Sequence, residues 1–282
     1  MNIKPICVER GSLQRYQELF YAAFGSQPKF HPDSLCWLYK KNPAGVVFGF
    51  DAYEGEKLVA HYACIPTEIS YLGRRARALL SLNTATHPDY QGRGLFVKLA
   101  ELTYRAAAEA GFSFVYGVAN ANSTPGFVRK LGFSLLEPLL ARIFMGEMVD
   151  GLNEVHSKSH FFRAWDKEAL TWRVENPISL LRCSSTESGL IVRGNTKGRW
   201  LPVQAELPFS EDFVASCSGL ESPLRLFLGL LPSELDRKPL YFDIPDKLRP
   251  SPLNFIYRDL TGCGRKIEKG SVFFTFIDFD AY

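Results

Sequence analysis

The chain has 282 residues, 46% hydrophobic and 22% charged, with 33 Lys and Arg against 30 Asp and Glu for a net charge of +3. At about 150 residues per domain that length suits one large domain or two ordinary ones, and the composition excludes disordered, collagenous and coiled-coil chains. A balance this close to neutral lacks the clustered basicity of a nucleic-acid surface, so no nucleic-acid partner is expected. The segment Met1 to Gly11 lacks the apolar run of a secretory leader, and no stretch of about 18 apolar residues occurs. The expectation is a cytoplasmic protein without a membrane partner. Six scattered cysteines (Cys7, Cys36, Cys64, Cys183, Cys217, Cys263) form no C-x-x-C pair, which argues for buried free thiols and against a metal site.

Ile3 to Val8 alternates like a strand, and Leu13, Tyr16, Leu19, Phe20 and Phe24 then recur at helical spacing behind Ser12. Ser34 is placed to cap a short helix, Leu35 to Lys41, that stops before Pro43. The runs Val46 to Tyr53, Lys57 to Ile65, Thr67 to Leu72 and Ala76 to Thr86 read as an antiparallel meander turning at Glu54-Gly55 and Gly73-Arg74. Leu95, Leu99, Leu102 and Ala106 form a helical stripe ending at Gly111. A strand (Phe112 to Ala119), a polar loop (Asn120 to Thr124), a helix from Pro125 to a Gly132 cap and a final strand (Phe133 to Met148) complete this half. The strands before and after the long helix form a right-handed parallel crossover, so the class is mixed α/β.

The segment Thr86 to Phe96, T-H-P-D-Y-Q-G-R-G-L-F, carries most of the functional information. Gly92 and Gly94 allow a tight turn and close approach to a ligand, and the helix that follows offers free amides and a positive dipole end to a phosphate or pyrophosphate. No G-K-S/T follows and G-x-G-x-x-G is absent, so nucleotide hydrolysis and hydride transfer lose support.

With its flanks, this segment resembles the GNAT superfamily of acyl-CoA N-acyltransferases. The pattern Q/R-x-x-G-x-G/A is met at Gln91 and Gly94 with Phe96 in place of the last small residue. The preceding strand and H-P-x-Y are met by Leu79 to Tyr90, and the later K-L-G-F by Lys130 to Phe133. The resemblance covers roughly residues 1 to 148. It implies a mostly antiparallel sheet flanked by helices, with acetyl-CoA as cosubstrate. Its pyrophosphate would sit on the amides of Gln91, Gly92, Arg93, Gly94, Leu95 and Phe96, its pantetheine arm along Ala85 and Thr86, and Asn122 near it. Phe96 is expected to face the core.

Acyl transfer to an amine needs a neutral amine, stabilisation of the oxyanion and a proton for the departing thiolate. The resemblance puts the oxyanion donor on a backbone amide near Ala85. Its usual general acid, a tyrosine, is replaced by Val128, leaving Tyr116, Ser123 or water; Tyr116 equally fits a core aromatic. The strand before the loop offers Asn83 where relatives place a carboxylate base. His61 is the first alternative, because an imidazole titrates near neutrality, and a satisfied strand histidine is the other reading. Deprotonating a lysine-type amine at neutral pH costs roughly 4 to 5 kcal/mol and an α-amine only about 1 kcal/mol. Without an obvious base, a low-pKa small-molecule amine such as an amino sugar or nucleotide-linked amino sugar is favoured. An aminoacyl or acyl transferase of Fem or mycothiol-synthase type, and a CoA-binding protein without turnover, are the alternatives. Arg74, Arg75 and Arg77 suit a cofactor phosphate or a solvated hairpin; His156 and His160 have the i, i+4 spacing of metal ligands but no third partner; His87 is expected to be structural.

The second half echoes the first. L-C-W-L-Y-K-K-N-P at Leu35 to Pro43 reappears as L-T-W-R-V-E-N-P at Leu170 to Pro177, and F-V-R-K-L-G at Phe127 to Gly132 resembles I-Y-R-D-L-T at Ile256 to Thr261. The expectation is tandem GNAT-like modules: 1–148 for the cofactor, and a degenerate 149–282 that shapes the acceptor pocket. Asp278, Asp280 or the terminal carboxylate is a further candidate base on the last strand.

Overall fold

A computed structural model describes residues 1–149, 151–196, 201–209, 213, 222–236 and 241–279. Strand β1 (Asn2–Pro5) leads into helix α1 (Arg10–Phe24), which buries Leu13, Tyr16, Leu19 and Phe20 along the predicted stripe. Helix α2 (Pro32–Lys40) starts earlier than predicted: His31, not Ser34, caps it by accepting the Asp33 amide on Nδ1 (3.4 Å), and Pro32 fills the first helical position. Strands β2 (Phe48–Glu54), β3 (Lys57–Tyr71) and β4 (Arg74–Thr86) form the expected antiparallel meander.

Pro66 does not divide β3 as the sequence suggests. Its carbonyl accepts Asn42 Nδ2 (2.8 Å) on the side away from β4, where β2 has already ended its pairing at Cys64, so the missing N–H costs no ladder bond. Helix α3 (Leu95–Glu109) then carries the chain to β5 (Phe114–Ala119), parallel to β4, and helix α4 (Thr124–Lys130) precedes β6 (Ser134–Pro138) and β7 (Leu140–Phe144). The single final strand expected over Phe133 to Met148 is therefore two.

The remaining elements are α5 (Val155–Lys158), β8 (Phe161–Arg163), α6 (Lys167–Val174), β9 (Arg182–Thr186), β10 (Gly189–Gly194), β11 (Val203–Leu207), β12 (Arg225–Leu230), β13 (Tyr241–Asp243), β14 (Asn254–Asp259) and β15 (Val272–Thr275). The described strands make one mixed, mostly antiparallel sheet flanked by helices. Within it one pattern occurs twice. In the first half β2, β3 and β4 run antiparallel, β5 joins β4 in parallel, and β14 lies between β5 and β6. In the second half β9, β10 and β11 run antiparallel, β12 joins β11 in parallel, and β7 lies between β12 and β13. Each half has lent a strand to the other.

Trp37 of α2 and Trp172 of α6 meet across the junction, ring centroids 4.8 Å apart, and each indole Nε1 donates to the other's backbone carbonyl (3.0 and 3.2 Å). The contact is reciprocal, and its two tryptophans are those of the first sequence echo. The second echo does not correspond to a structural repeat: Phe127 to Gly132 spans the end of α4, whereas Ile256 to Asp259 lies in strand β14. Tyr116, Phe161, Phe255 and Phe274 pack together in a core shared by both halves, Tyr116 stacked on Phe255 and Phe161 edge-on to both.

Candidate active site

Strands β4 and β5 are paired only over Ala78–Leu80 and Phe114–Tyr116, then diverge. At the branch point Gly117 lies so close to β4 that a Cβ there would meet the Ser81 carbonyl oxygen at 3.2 Å. Beyond it, Ser81 to Thr86 have β3 on one side and no described strand on the other. A cavity of about 400 Å³ occupies this splay, lined by Phe24, Phe30, Ser81 to Thr84, Val118, Asn120, Ser123 and Phe127 among others.

At the end of β4 the His87 Nδ1 accepts the Asp89 amide (3.3 Å), the structural role expected of it. Gly92 (φ +76°) and Gly94 (φ +75°) both adopt the left-handed conformation, and Gly94 caps α3. The first intrahelical bond is Lys98 N to Gly94 O (3.1 Å), so the preceding amides point out of the helix end. Arg93 stacks on Tyr90 (4.6 Å) and donates to Asp89 O (3.1 Å), while Gln91 Nε2 reaches Thr86 O (3.5 Å). Leu95 is buried, and Phe96 packs against Phe127 (5.3 Å) as expected of a core-facing residue. The loop thus offers exposed backbone amides at a helix start, a geometry able to receive an anion, just beyond the end of β4. An open strand edge leading to such a loop fits a ligand with an amide-bearing arm and a pyrophosphate.

Between Leu82 and Ala85 the β3–β4 register shifts, placing an extra residue on β4. Asn83 in this bulge has φ +46°, a conformation that asparagine tolerates better than most residues. Its Nδ2 donates to Tyr39 Oη (3.2 Å), which lies 2.9 Å from His61 Nε2. His61 Nδ1 is 2.6 Å from Asp51 Oδ1, and Tyr16 donates to Asp51 Oδ2 (2.7 Å). An ionised Asp51 carboxylate only accepts, so His61 donates to it from Nδ1, and the neutral imidazole then accepts the Tyr39 proton on Nε2. Burial and the neighbouring carboxylate together push the Tyr16 hydroxyl far up.

His61 is 0% exposed and does not line the cavity. It stands two hydrogen bonds from the cleft, through Tyr39 and Asn83, and out of contact with anything bound there. Tyr116 is likewise fully buried, donates to Thr67 Oγ1 (3.2 Å), and is pushed up to about 12 by burial; it belongs to the core. Ser123 does line the cleft, with Oγ 3.1 Å from Asn120 Oδ1, and Asn122 is exposed beside it. Ala85 is buried on β4 opposite His61, and Thr86 is opposite Ala60.

The other candidates fall away for geometric reasons. Arg77 covers Phe112 and donates to Ala110 O (3.1 Å), and the Arg74–Arg77 turn lies at the end of β4 away from the glycine loop. His156 stacks on Phe162, His160 lies beside Glu268 (3.9 Å), and no metal-binding cluster occurs among the described residues. Asp278 is buried under Trp165 and Thr275, which occupy its carboxylate; Asp280 and the terminal carboxylate lie outside the described residues. Cys64 and Cys183 are buried as expected, but Cys263 is exposed, and Cys217 is outside the described residues. Tyr39, Asp51 and Tyr16 were not candidates from the sequence; a carboxylate inside an apolar strand was the one available signal.

Residues 7–136 match the family described as acetyltransferase (GNAT) domain. That match takes in just under half of the chain, and the fold agrees with that of solved GCN5-related N-acetyltransferases. A GCN5-related N-acetyltransferase from Anabaena variabilis superposes with a TM-score of 0.62 at 11% identity, covering 93% of this chain and 74% of that one. One from Kribbella flavida gives 0.61 at 13% identity, covering 92% and 72%. Eis1 from Mycobacterium abscessus gives 0.53 at 12% identity, covering 75% and 60%. At such identities the likeness is one of fold. No curated protein matches the sequence. No described helix is long and apolar enough to cross a membrane.

Proposed function

We propose that this GNAT domain transfers an acetyl group from acetyl-CoA to the primary amine of a small molecule, with amino sugars or nucleotide-linked amino sugars as the favoured acceptors. The observation that carries the reading is the splay of β4 from β5 with the Gly92–Gly94 loop just beyond the end of β4. Bound there, acetyl-CoA supplies the activated acyl group. The amides of Gln91 to Phe96 hold the anionic end, the free edge at Ala85 and Thr86 aligns the arm, and Asn122 flanks it. A backbone amide of the β4 bulge meets the developing oxyanion. The network Asp51–His61–Tyr39 fixes Asn83, and with it that amide. Ser123, at the cleft wall, is the hydroxyl placed to return a proton to the leaving group.

No carboxylate or imidazole lines the described cleft, so the acceptor amine must arrive neutral. That supports an amine of low pKa, for which deprotonation costs about 1 kcal/mol, over a lysine side chain. The second half, 149–282, would then shape acceptor access to the cleft that the first half, 1–148, builds for the cofactor. Calorimetry with acetyl-CoA, followed by thiol release over a panel of amino sugars, α-amines and lysine peptides, tests this. Micromolar binding with turnover on low-pKa amines is expected; turnover confined to lysine peptides would refute the acceptor assignment, and absence of binding the cofactor assignment.

A further inference from the structure

A second cavity, of about 430 Å³, lies where the two halves meet. Its walls come from the β3–β4 hairpin (Ser70, Arg75), from β8 and the residues after it (Phe162, Arg163, Trp165), from the end of β11 (Leu207 to Phe209) and from Phe273 on β15. Arg75 precedes Ser81, where the acyl-transfer splay begins, by about 20 Å along β4 at about 3.3 Å per residue. The cavity is therefore separate from the acyl-transfer site.

Arg163 is 8% exposed, with its guanidinium stacked on Trp165 at 3.8 Å. Five N–H donors leave that group, yet among the described residues its hydrogen bond is a single long one, from Nη1 to the Asp278 backbone carbonyl at 3.4 Å. The Asp278 carboxylate gives it charge but not contact: Oδ1 accepts Trp165 Nε1 (2.9 Å), and Oδ2 accepts the Thr275 amide (2.6 Å) and hydroxyl (3.0 Å). A buried guanidinium with spare donors is costly unless a partner arrives, and planar donors match a carboxylate. Burial pulls Arg163 below its usual range, as expected of a cation lacking such a partner. Arg75 adds a second cation at the rim, while Trp165, Phe209 and Phe273 give the rest of the cavity an aromatic lining.

We propose that this cavity binds a small organic carboxylate with a flat apolar body, its carboxylate on Arg163 and its body among the aromatic walls. The volume falls within the range of about 300 to 1,000 Å³ usual for small-molecule sites, and a seam between two halves is a common place for one.

Isothermal titration of the full chain with 3-phenylpropionate and with 3-phenylpropanol, equal in size but uncharged, tests the assignment. The carboxylate is expected to saturate with a Kd below about 1 mM and the alcohol to bind at least about tenfold more weakly. Arg163→Met should lose about tenfold or more in affinity for the carboxylate while keeping its affinity for acetyl-CoA. Should that variant fail to fold, Arg75→Ala, at an exposed position, should still weaken the carboxylate by about threefold and leave the alcohol unchanged. Equal binding of the two probes, no saturation below about 10 mM, or undiminished carboxylate binding by Arg163→Met would overturn it.

Discussion

Tyr39 is where the buried network turns toward the cleft, and its hydroxyl is the shared partner of His61 and Asn83. Tyr39→Phe leaves both without that partner, so unfolding in urea should register a loss of about 1 to 3 kcal/mol. If the network acts by holding the bulge, kcat should fall while KM for acetyl-CoA stays nearly constant. The backbone of Asn83 separates this from a proton-relay role. Asn83→Gly, which accepts φ +46° freely but loses the bond to Tyr39 Oη, should lower kcat about as far as Tyr39→Phe does, whereas Asn83→Val, branched at Cβ, should lose about tenfold or more. Undiminished kcat in Asn83→Gly would show that the bulge holds its geometry without the network. His61 was legible from the sequence as a residue type, but its role was not. Counting back from the Glu54–Lys57 pair puts Phe50 opposite His61; the register shift between Ala52 and Tyr53 brings Asp51 there, and no local pattern announces such a shift.

The glycine loop and α3 were the most legible element, because positive φ at two nearby positions and a helix start leave a residue-level mark. Gly94→Ala would put a side chain at φ +75°, where space is open but the backbone is strained by about 1 kcal/mol. Acetyl-CoA binding, measured by calorimetry, should weaken by about tenfold with little change in melting temperature. Strand lengths were less legible. Pro66 suggests a break in β3 that its one-sided pairing makes unnecessary, and the long run after Gly132 conceals the point at Leu139 where the chain leaves one half for the other.

Across the whole molecule, the Trp37–Trp172 pair was visible as a repeated string, while the lent strands were not, since pairing between β5 and β14 joins residues over a hundred positions apart. Substituting each tryptophan by leucine, singly and together, should give a coupling of about 0.5 to 1.5 kcal/mol in denaturant melts. Residues 1–148 expressed alone should be insoluble, because β5 and β6 lose the strand between them and β7 loses its sheet. Supplying 149–282 in trans should restore soluble material by gel filtration.

The last strand bears on a different quantity. Where the first half leaves the β4-facing edge of β5 without a strand partner beyond Gly117, the second half lays β15 along β12, with Gly229 opposite Thr275 and the Phe274 carbonyl pressed so close that no side chain fits at Gly229. The turn Phe276–Asp278 packs on beside β11. The chain's own backbone thus fills the one place where a twofold fold would have offered a second berth. A doubled architecture should accordingly titrate as a single one: one equivalent of acetyl-CoA per chain, on a hyperbolic isotherm.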